Sequence, residues 1–129
     1  MREPVWVLDE IVELVHSMLL AEHGGGSGIR DKTLLKAALA RSKQKFNYDS
    51  DVSIFDLAAA YSFGIAKNHP FVDGNKRTAF TIGTLFLEIN GFKLNATEVD
   101  ATITFENLAT DIINEKDLSS WFKENGIKV

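Results

Sequence analysis

The stretch Asn68-His69-Pro70-Phe71-Val72-Asp73-Gly74-Asn75-Lys76-Arg77-Thr78 gathers the most chemically capable residues of the chain. From His69 to Arg77, nine residues hold one imidazole, one carboxylate, one side-chain amide and two cations. A helical apolar pattern begins at Asn75. The first turn of a helix presents unpaired N–H groups and a partial positive charge. Lys76 and Arg77 add two full positive charges to that turn and oppose the helix dipole, so they are poor choices for stability alone. They make sense if an anion sits there, and a phosphate group suits such a terminus. Gly74 permits a tight turn and leaves room for a ligand to approach the backbone. Asp73 would repel a bare phosphate but can hold a magnesium ion that bridges to one. His69 can accept a proton from an attacking hydroxyl. Together these residues form a parts list for moving a phosphorus group from a nucleotide to an alcohol. His16 and His23 stand outside the cluster and read as structural or solvent-exposed.

Helices must position that cluster. Ile11, Leu14, Val15, Met18 and Leu19 recur at helical spacing as one apolar stripe, in a helix that Asp9 can cap and Gly24 can end. Gly24-Gly25-Gly26-Ser27-Gly28 is a loop between helices. A second helix opens at Arg30-Asp31 with Leu34, Leu35, Ala38 and Leu39 inward, and Phe46 to Ser50 reads as a connecting loop. A third, capped by Asp51 or Ser53, turns Ile54, Leu57, Ala58, Tyr61 and Ile65 inward. Pro70 disfavours helix in the residue before it, so this helix stops near Asn68. The fourth runs from Asn75 to Asn90 and is closed by Gly91. Its apolar residues go nearly all the way round, which predicts the buried central helix. Thr97-Glu98-Val99-Asp100 resembles a capping box for a fifth helix. A sixth spans about Glu115 to Asn125, with Leu118, Trp121 and Phe122 inward. No strong hairpin signal is present. The expected fold is all-α: a compact bundle of five to six helices around a buried central helix, with residues 1–129 as one domain.

Composition narrows the function. Among 129 residues there is no cysteine, which excludes a disulfide scaffold, a thiol nucleophile and a cysteine-bearing metal site. No apolar run approaches the roughly 18 residues of a membrane span, and the acidic N-terminus carries no secretory h-region. A cytoplasmic protein that binds neither membrane nor nucleic acid directly is expected. The net charge of −4 argues against a general nucleic-acid binder. That charge is uneven: residues 30–45 sum to +5 and residues 67–77 to +2. The first patch reads as a solvated helix face, the second as local anion binding.

The run His69-Pro70-Phe71-Val72-Asp73-Gly74-Asn75-Lys76-Arg77 resembles the signature of the Fic/Doc superfamily. It is most similar to the death-on-curing toxins of bacterial toxin–antitoxin pairs, whose motif reads H-x-F-x-[DA]-G-N-K-R. Gly24-Gly25 through Gly28-Ile29-Arg30-Asp31, and Leu85-Phe86-Leu87 to Asn90-Gly91, extend the likeness over nearly the whole chain. The resemblance implies that His69 is the general base for a target hydroxyl and that Asp73 holds Mg²⁺. It also implies that Gly74, Asn75, Lys76 and Arg77, with the helix amides, hold the phosphates, while Phe71 anchors the loop. Fic enzymes that transfer AMP read H-P-F-x-x-G-N-G-R-x-x-R. Here Lys76 replaces their glycine and Phe80 their second arginine, which favours the death-on-curing branch. That branch implies ATP bound in the reversed sense, transfer of the γ-phosphate to elongation factor Tu, a block of translation, and a separate antitoxin as partner. The family's target-pairing flap precedes the third helix, where Phe46-Asn47-Tyr48 stand. The plainer reading there is a helix–helix loop with two aromatics in the core. Ser120 followed by Glu124-Asn125 imitates the family's inhibitory helix, but it falls where Trp121 and Phe122 pack and reads as chance.

Four functions compete. Phosphoryl transfer leads, and AMP transfer through the same residues is its rival. A catalytically silent regulatory partner gains little, because the motif is intact. A helix-turn-helix DNA binder is opposed by the acidic total and the apolar fourth helix.

Overall fold

The computed structural model describes residues 1–129. Six helices follow one another: α1 (Asp9–His23), α2 (Lys32–Tyr48), α3 (Ile54–Asn68), α4 (Asn75–Ile89), α5 (Glu98–Ala109) and α6 (Glu115–Asn125). Two short strands, β1 (Phe92–Leu94) and β2 (Gly126–Lys128), pair antiparallel with Phe92 opposite Lys128. The helical bundle is as the apolar periodicities predict, while the ribbon is an addition to it. Its strands are three residues long and lie far apart in sequence, so no local turn announces them.

Local chemistry sets most helix ends. Asp31 accepts the N–H of Leu34 to start α2. Ser53 and Asp56 form a reciprocal capping box on α3, and Asn114 and Asp117 do the same on α6. Thr97 accepts the N–H of Asp100, but the Asp100 carboxylate accepts from Trp121 Nε1 rather than completing a box. On α1 the cap position is Leu8, and Asp9 is already helical.

The central helix is α3, not α4. Nine of its residues are buried, from Leu57 through Ala66, and it packs against α2, α4 and α6. Its small residues allow this close approach. A Cβ on Gly64 would stand 2.9 Å from Arg41 Cδ and 3.0 Å from the Ala38 carbonyl. Ser62 donates to the Ala79 carbonyl at 2.6 Å, sewing α3 to α4. On α4, Phe80 and Leu85 are half-buried and Ile89 is exposed. All-round apolarity therefore overstates its burial.

Two further expectations change. Helix α1 buries Val12 and His16, while Ile11, Leu14 and Met18 face solvent. The apolar stripe of α1 is thus largely unpartnered. Helix α2 continues through Phe46, Asn47 and Tyr48 instead of ending before them. Phe46 packs edge-on against Trp6 at 5.7 Å, a contact with the N-terminal segment that carries the helix through.

Candidate active site

The cluster from His69 to Arg77 bridges the end of α3 and the start of α4. His69 is the C-cap of α3 in left-handed geometry (φ 47°, ψ 54°), which lifts the chain off the helix axis and leaves the imidazole exposed. Phe71 is 1% exposed and anchors the loop as expected. It pairs with Ile29 in an isolated antiparallel bridge. Around that bridge, the N–H groups of Arg30 and Asp31 donate to the Pro70 carbonyl, and that of Val72 donates to the Gly28 carbonyl. The segment facing the motif loop is therefore Gly28–Asp31.

Three side chains hold the loop from beneath or beside it. Asn75 is 8% exposed and binds Phe71 in both directions: its Oδ1 accepts the Phe71 N–H and its Nδ2 donates to the Phe71 carbonyl, each at 3.0 Å. Both ends of the Asn75 amide are thus bound inside the protein, and its backbone N–H is left without an acceptor. The side chain expected among the phosphate ligands is occupied here in holding the loop. His16 from α1 is 4% exposed and stacks on Phe71, with ring centres 3.7 Å apart and planes 9° apart. Its Nε2 lies 2.8 Å from the Asp73 carbonyl, so that nitrogen carries the proton and donates. His16 is structural, as its isolation in the sequence suggests, but the structure it supports is the motif loop. Arg30 donates from its guanidinium to the carbonyls of His69 and Asn68. Asn68 in turn donates to the Leu34 carbonyl and ties α3 to α2.

The start of α4 differs from most other helix starts in the molecule. Side chains cap α2, α3, α5 and α6, but the cap position of α4 is Gly74 with no side-chain bond. Gly74 adopts φ 79°, a conformation that side-chain-bearing residues rarely take. The first helical acceptance is from Thr78 N–H to the Gly74 carbonyl. The N–H groups of Asn75, Lys76 and Arg77 find no acceptor in the structure. Arg77 is exposed with no ion pair or side-chain hydrogen bond. Lys76 instead reaches to α5, its Nζ 2.7 Å from Glu106 Oε1. Three free donors and one free guanidinium at a helix N-terminus make an anion site.

Asp73 is exposed beside this site. One carboxylate oxygen accepts the Gly74 N–H at 2.8 Å and the other accepts the Gly26 N–H at 3.3 Å. The glycine loop makes room for it: a Cβ on Gly25 would lie 2.8 Å from Asp73 Oδ2. No cluster of three metal-ligating side chains exists anywhere in the chain. A lone carboxylate fits an ion such as magnesium, which takes one or two protein oxygens and the rest from phosphates and water.

Phe46, Asn47 and Tyr48 do not join this group. Helices α2 and α3 run antiparallel, with Leu34 beside Asn68 and Ser42 beside Leu57. The last turn of α2 therefore lies at the opposite end of α3 from His69, roughly 20 Å away at 1.5 Å per residue. Ser120 and Glu124 are remote too. Gly126, two residues after Glu124, abuts Phe55 at the start of α3.

A model of the Fic/DOC family matches residues 6–87, a span from the N-terminal segment through nearly all of α4. The chain belongs to the Fic/DOC family. A relative from Mycolicibacterium smegmatis (strain ATCC 700084 / mc(2)155), "Toxin Doc", is 42% identical over 94 residues, covering 71% of this chain and 67% of that protein. "Protein kinase doc" of Escherichia phage P1 is 31% identical over 86 residues, covering 67% of this chain and 68% of that protein. The Fic/DOC match takes in every residue that builds the loop and its supports: His16, the glycine segment, Arg30 and the motif itself. Of these, only the motif residues stand out by spacing. His16 and Arg30 carry a weaker signal, a polar side chain inside an apolar helix pattern and a cation just ahead of a helix cap.

Proposed function

We propose that this chain is the toxin of a toxin–antitoxin pair and transfers the γ-phosphoryl group of ATP to a hydroxyl side chain of a protein. The observation that carries the reading is the uncapped N-terminus of α4, with its three free N–H groups and free Arg77, one loop away from an exposed His69. The names of the two relatives, a toxin and a protein kinase, point the same way.

In this reading the target hydroxyl oxygen attacks the γ-phosphorus, its proton passes to His69, and the β–γ bridging oxygen leaves with ADP. Arg77 and the amides of Asn75, Lys76 and Arg77 take the phosphate oxygens. Gly74 lets those oxygens approach the backbone. Asp73 would hold magnesium, which neutralises phosphate charge when bound. The exposed imidazole suits a proton acceptor that must meet a bulky protein substrate.

Lys76 and Phe80 favour phosphoryl over adenylyl transfer. The AMP-transferring pattern needs a second arginine at position 80, and Phe80 instead packs edge-on against Phe105 at 5.3 Å. Position 80 therefore supplies no cation to a terminal phosphate. The proposed substrate is elongation factor Tu, on the resemblance of the motif, and its modification would block translation. Target positioning falls to the exposed glycine segment that faces the motif loop rather than to Phe46, Asn47 and Tyr48. We assign the antitoxin to the outward face of α1. There Ile11, Leu14 and Met18 are exposed beside Glu10 and Glu13, and an amphipathic segment with basic flanks fits. No helix is long and apolar enough to cross a membrane.

The test is intact-protein mass spectrometry of elongation factor Tu after incubation with this protein and MgATP, beside His69→Ala. A phosphoryl-sized gain lost in the variant is expected, with the circular-dichroism spectrum unchanged. An adenylyl-sized gain would transfer the assignment to AMP chemistry. No gain would remove this target.

A further inference from the structure

We infer that Arg30 is a positioning residue for His69, acting through the backbone at the end of α3. This rests on the reading of His69 as the proton acceptor.

Three consecutive carbonyls close α3, and all three are bound by the start of the next segment back in sequence. Arg30 Nη2 donates to the Asn68 carbonyl at 2.9 Å and Arg30 Nε to the His69 carbonyl at 2.7 Å. The backbone N–H groups of Arg30 and Asp31 donate to the Pro70 carbonyl at 2.7 and 3.1 Å. The last carbonyls of a helix carry partial negative charge and lack intrahelical partners. A guanidinium there is favoured, and its planar fork fixes two acceptors at once. His69 needs such a hold. A residue with a Cβ in the left-handed region is strained and stays there only when its surroundings impose it. The only internal bond of the His69 backbone to its own helix is a long one, from its N–H to the Ile65 carbonyl at 3.3 Å. The exposed imidazole has no hydrogen-bond partner in the structure, so the protein places it only through the backbone that Arg30 binds.

Lysine cannot replace this. Its ammonium is a point charge and cannot span two adjacent carbonyls in one plane. A general base displaced by about 1 Å can lose on the order of a hundredfold in rate while substrate binding survives. The anion site on α4 has its own support from Asn75 and His16, so it should outlast the loss of Arg30.

The experiment compares Arg30→Lys and Arg30→Ala with the parent protein in three measurements. The first is the ¹⁵N shifts of the three histidine rings, recorded without nucleotide. The second is MgATP affinity by calorimetry. The third is turnover in the transfer assay described above. Expected in both variants are a changed His69 ring signal with His23 unmoved, MgATP affinity within about threefold of the parent, and turnover lower by roughly 10- to 100-fold. Unchanged His69 signals in both variants would overturn the inference. So would Lys restoring the parental His69 signal, or affinity and turnover falling together by the same factor. If the parent transfers nothing to any target, the kinase reading fails, and the histidine signals still decide the role of Arg30.

Discussion

Asn75 shows how a side chain expected among the phosphate ligands can also hold its own loop. Its position at the start of α4 put it among the phosphate ligands, yet both ends of its amide are bound to Phe71. A buried donor and acceptor left unpaired cost about 1–3 kcal/mol. Asn75→Ala should therefore loosen the loop rather than simply weaken a ligand contact. The expected result is amide hydrogen exchange at Phe71 faster by about tenfold or more, with exchange in α3 unaffected. Exchange at Phe71 equal to that of the parent would show that the bridge to Ile29 holds the loop without the amide. His16 complements it from below, so the loop rests on one amide, one imidazole and the fork of Arg30.

Among elements, the contact between α4 and α5 sets how much charge the anion site offers. Lys76 and Glu106 are each about half exposed, so their pair adds little to stability. Its consequence is competition: an anion at the α4 terminus must draw Lys76 from Glu106 or do without it. Glu106→Gln frees the ammonium. MgATP affinity should rise a few-fold at low salt, and the gain should shrink as ionic strength rises. Calorimetry at two salt concentrations measures this, and unchanged affinity at low salt would exclude Lys76 from the phosphate site. Helix α4 begins without a side-chain cap, which leaves its N-terminal donors open, while Asp31, Ser53, Thr97 and Asn114 cap α2, α3, α5 and α6.

For the molecule as a whole, stability should fall at both pH extremes through groups near α3. Tyr61 is 2% exposed, and burial pushes its hydroxyl up to about 12 from an ordinary 10.0, against the opposing bond from the Val7 N–H. The folded state therefore keeps this proton after the unfolded chain has released it. Stability is full below pH 10 and is lost as pH rises toward 12, by about 2–3 kcal/mol at 1.36 kcal/mol per unit. Urea unfolding at intervals from pH 9 to 12 should show this fall. Tyr61→Phe should flatten it, while lowering stability at pH 9 because the buried Val7 N–H loses its acceptor. At the acid end, burial works to raise the Asp56 carboxyl. Hydrogen bonds from Ser119 and Ser53, with the nearby charge of Lys45, outweigh it and hold it below 3.8. Its contribution is present above that value and is lost as pH falls through the lower folded value.

Short-range chemistry was legible in the chain by itself. The stop of α3 at Asn68 before Pro70, the start of α4 at Asn75, the opening of α2 at Arg30-Asp31, the cap Ser53, and the motif from His69 to Arg77 each depend on residues within a few positions of one another. The family resemblance rested on that same local run. Tertiary structure decided everything that depends on which surfaces meet. Periodicity marks α1 as a helix, but only its packing shows that Val12 and His16 face inward and Leu14 and Met18 outward. It places α3 rather than α4 at the centre, because small residues such as Gly64 admit neighbouring helices more closely than large apolar ones do. It carries α2 through Tyr48 and packs it antiparallel to α3, which sets Phe46, Asn47 and Tyr48 at the far end of α3 from His69. It also brings Arg30 to the carbonyls of Asn68 and His69 across 38 and 39 residues of chain. Hydrogen bonds of that span leave no spacing pattern, since their partners are chosen by the packing of whole elements and not by their neighbours in sequence.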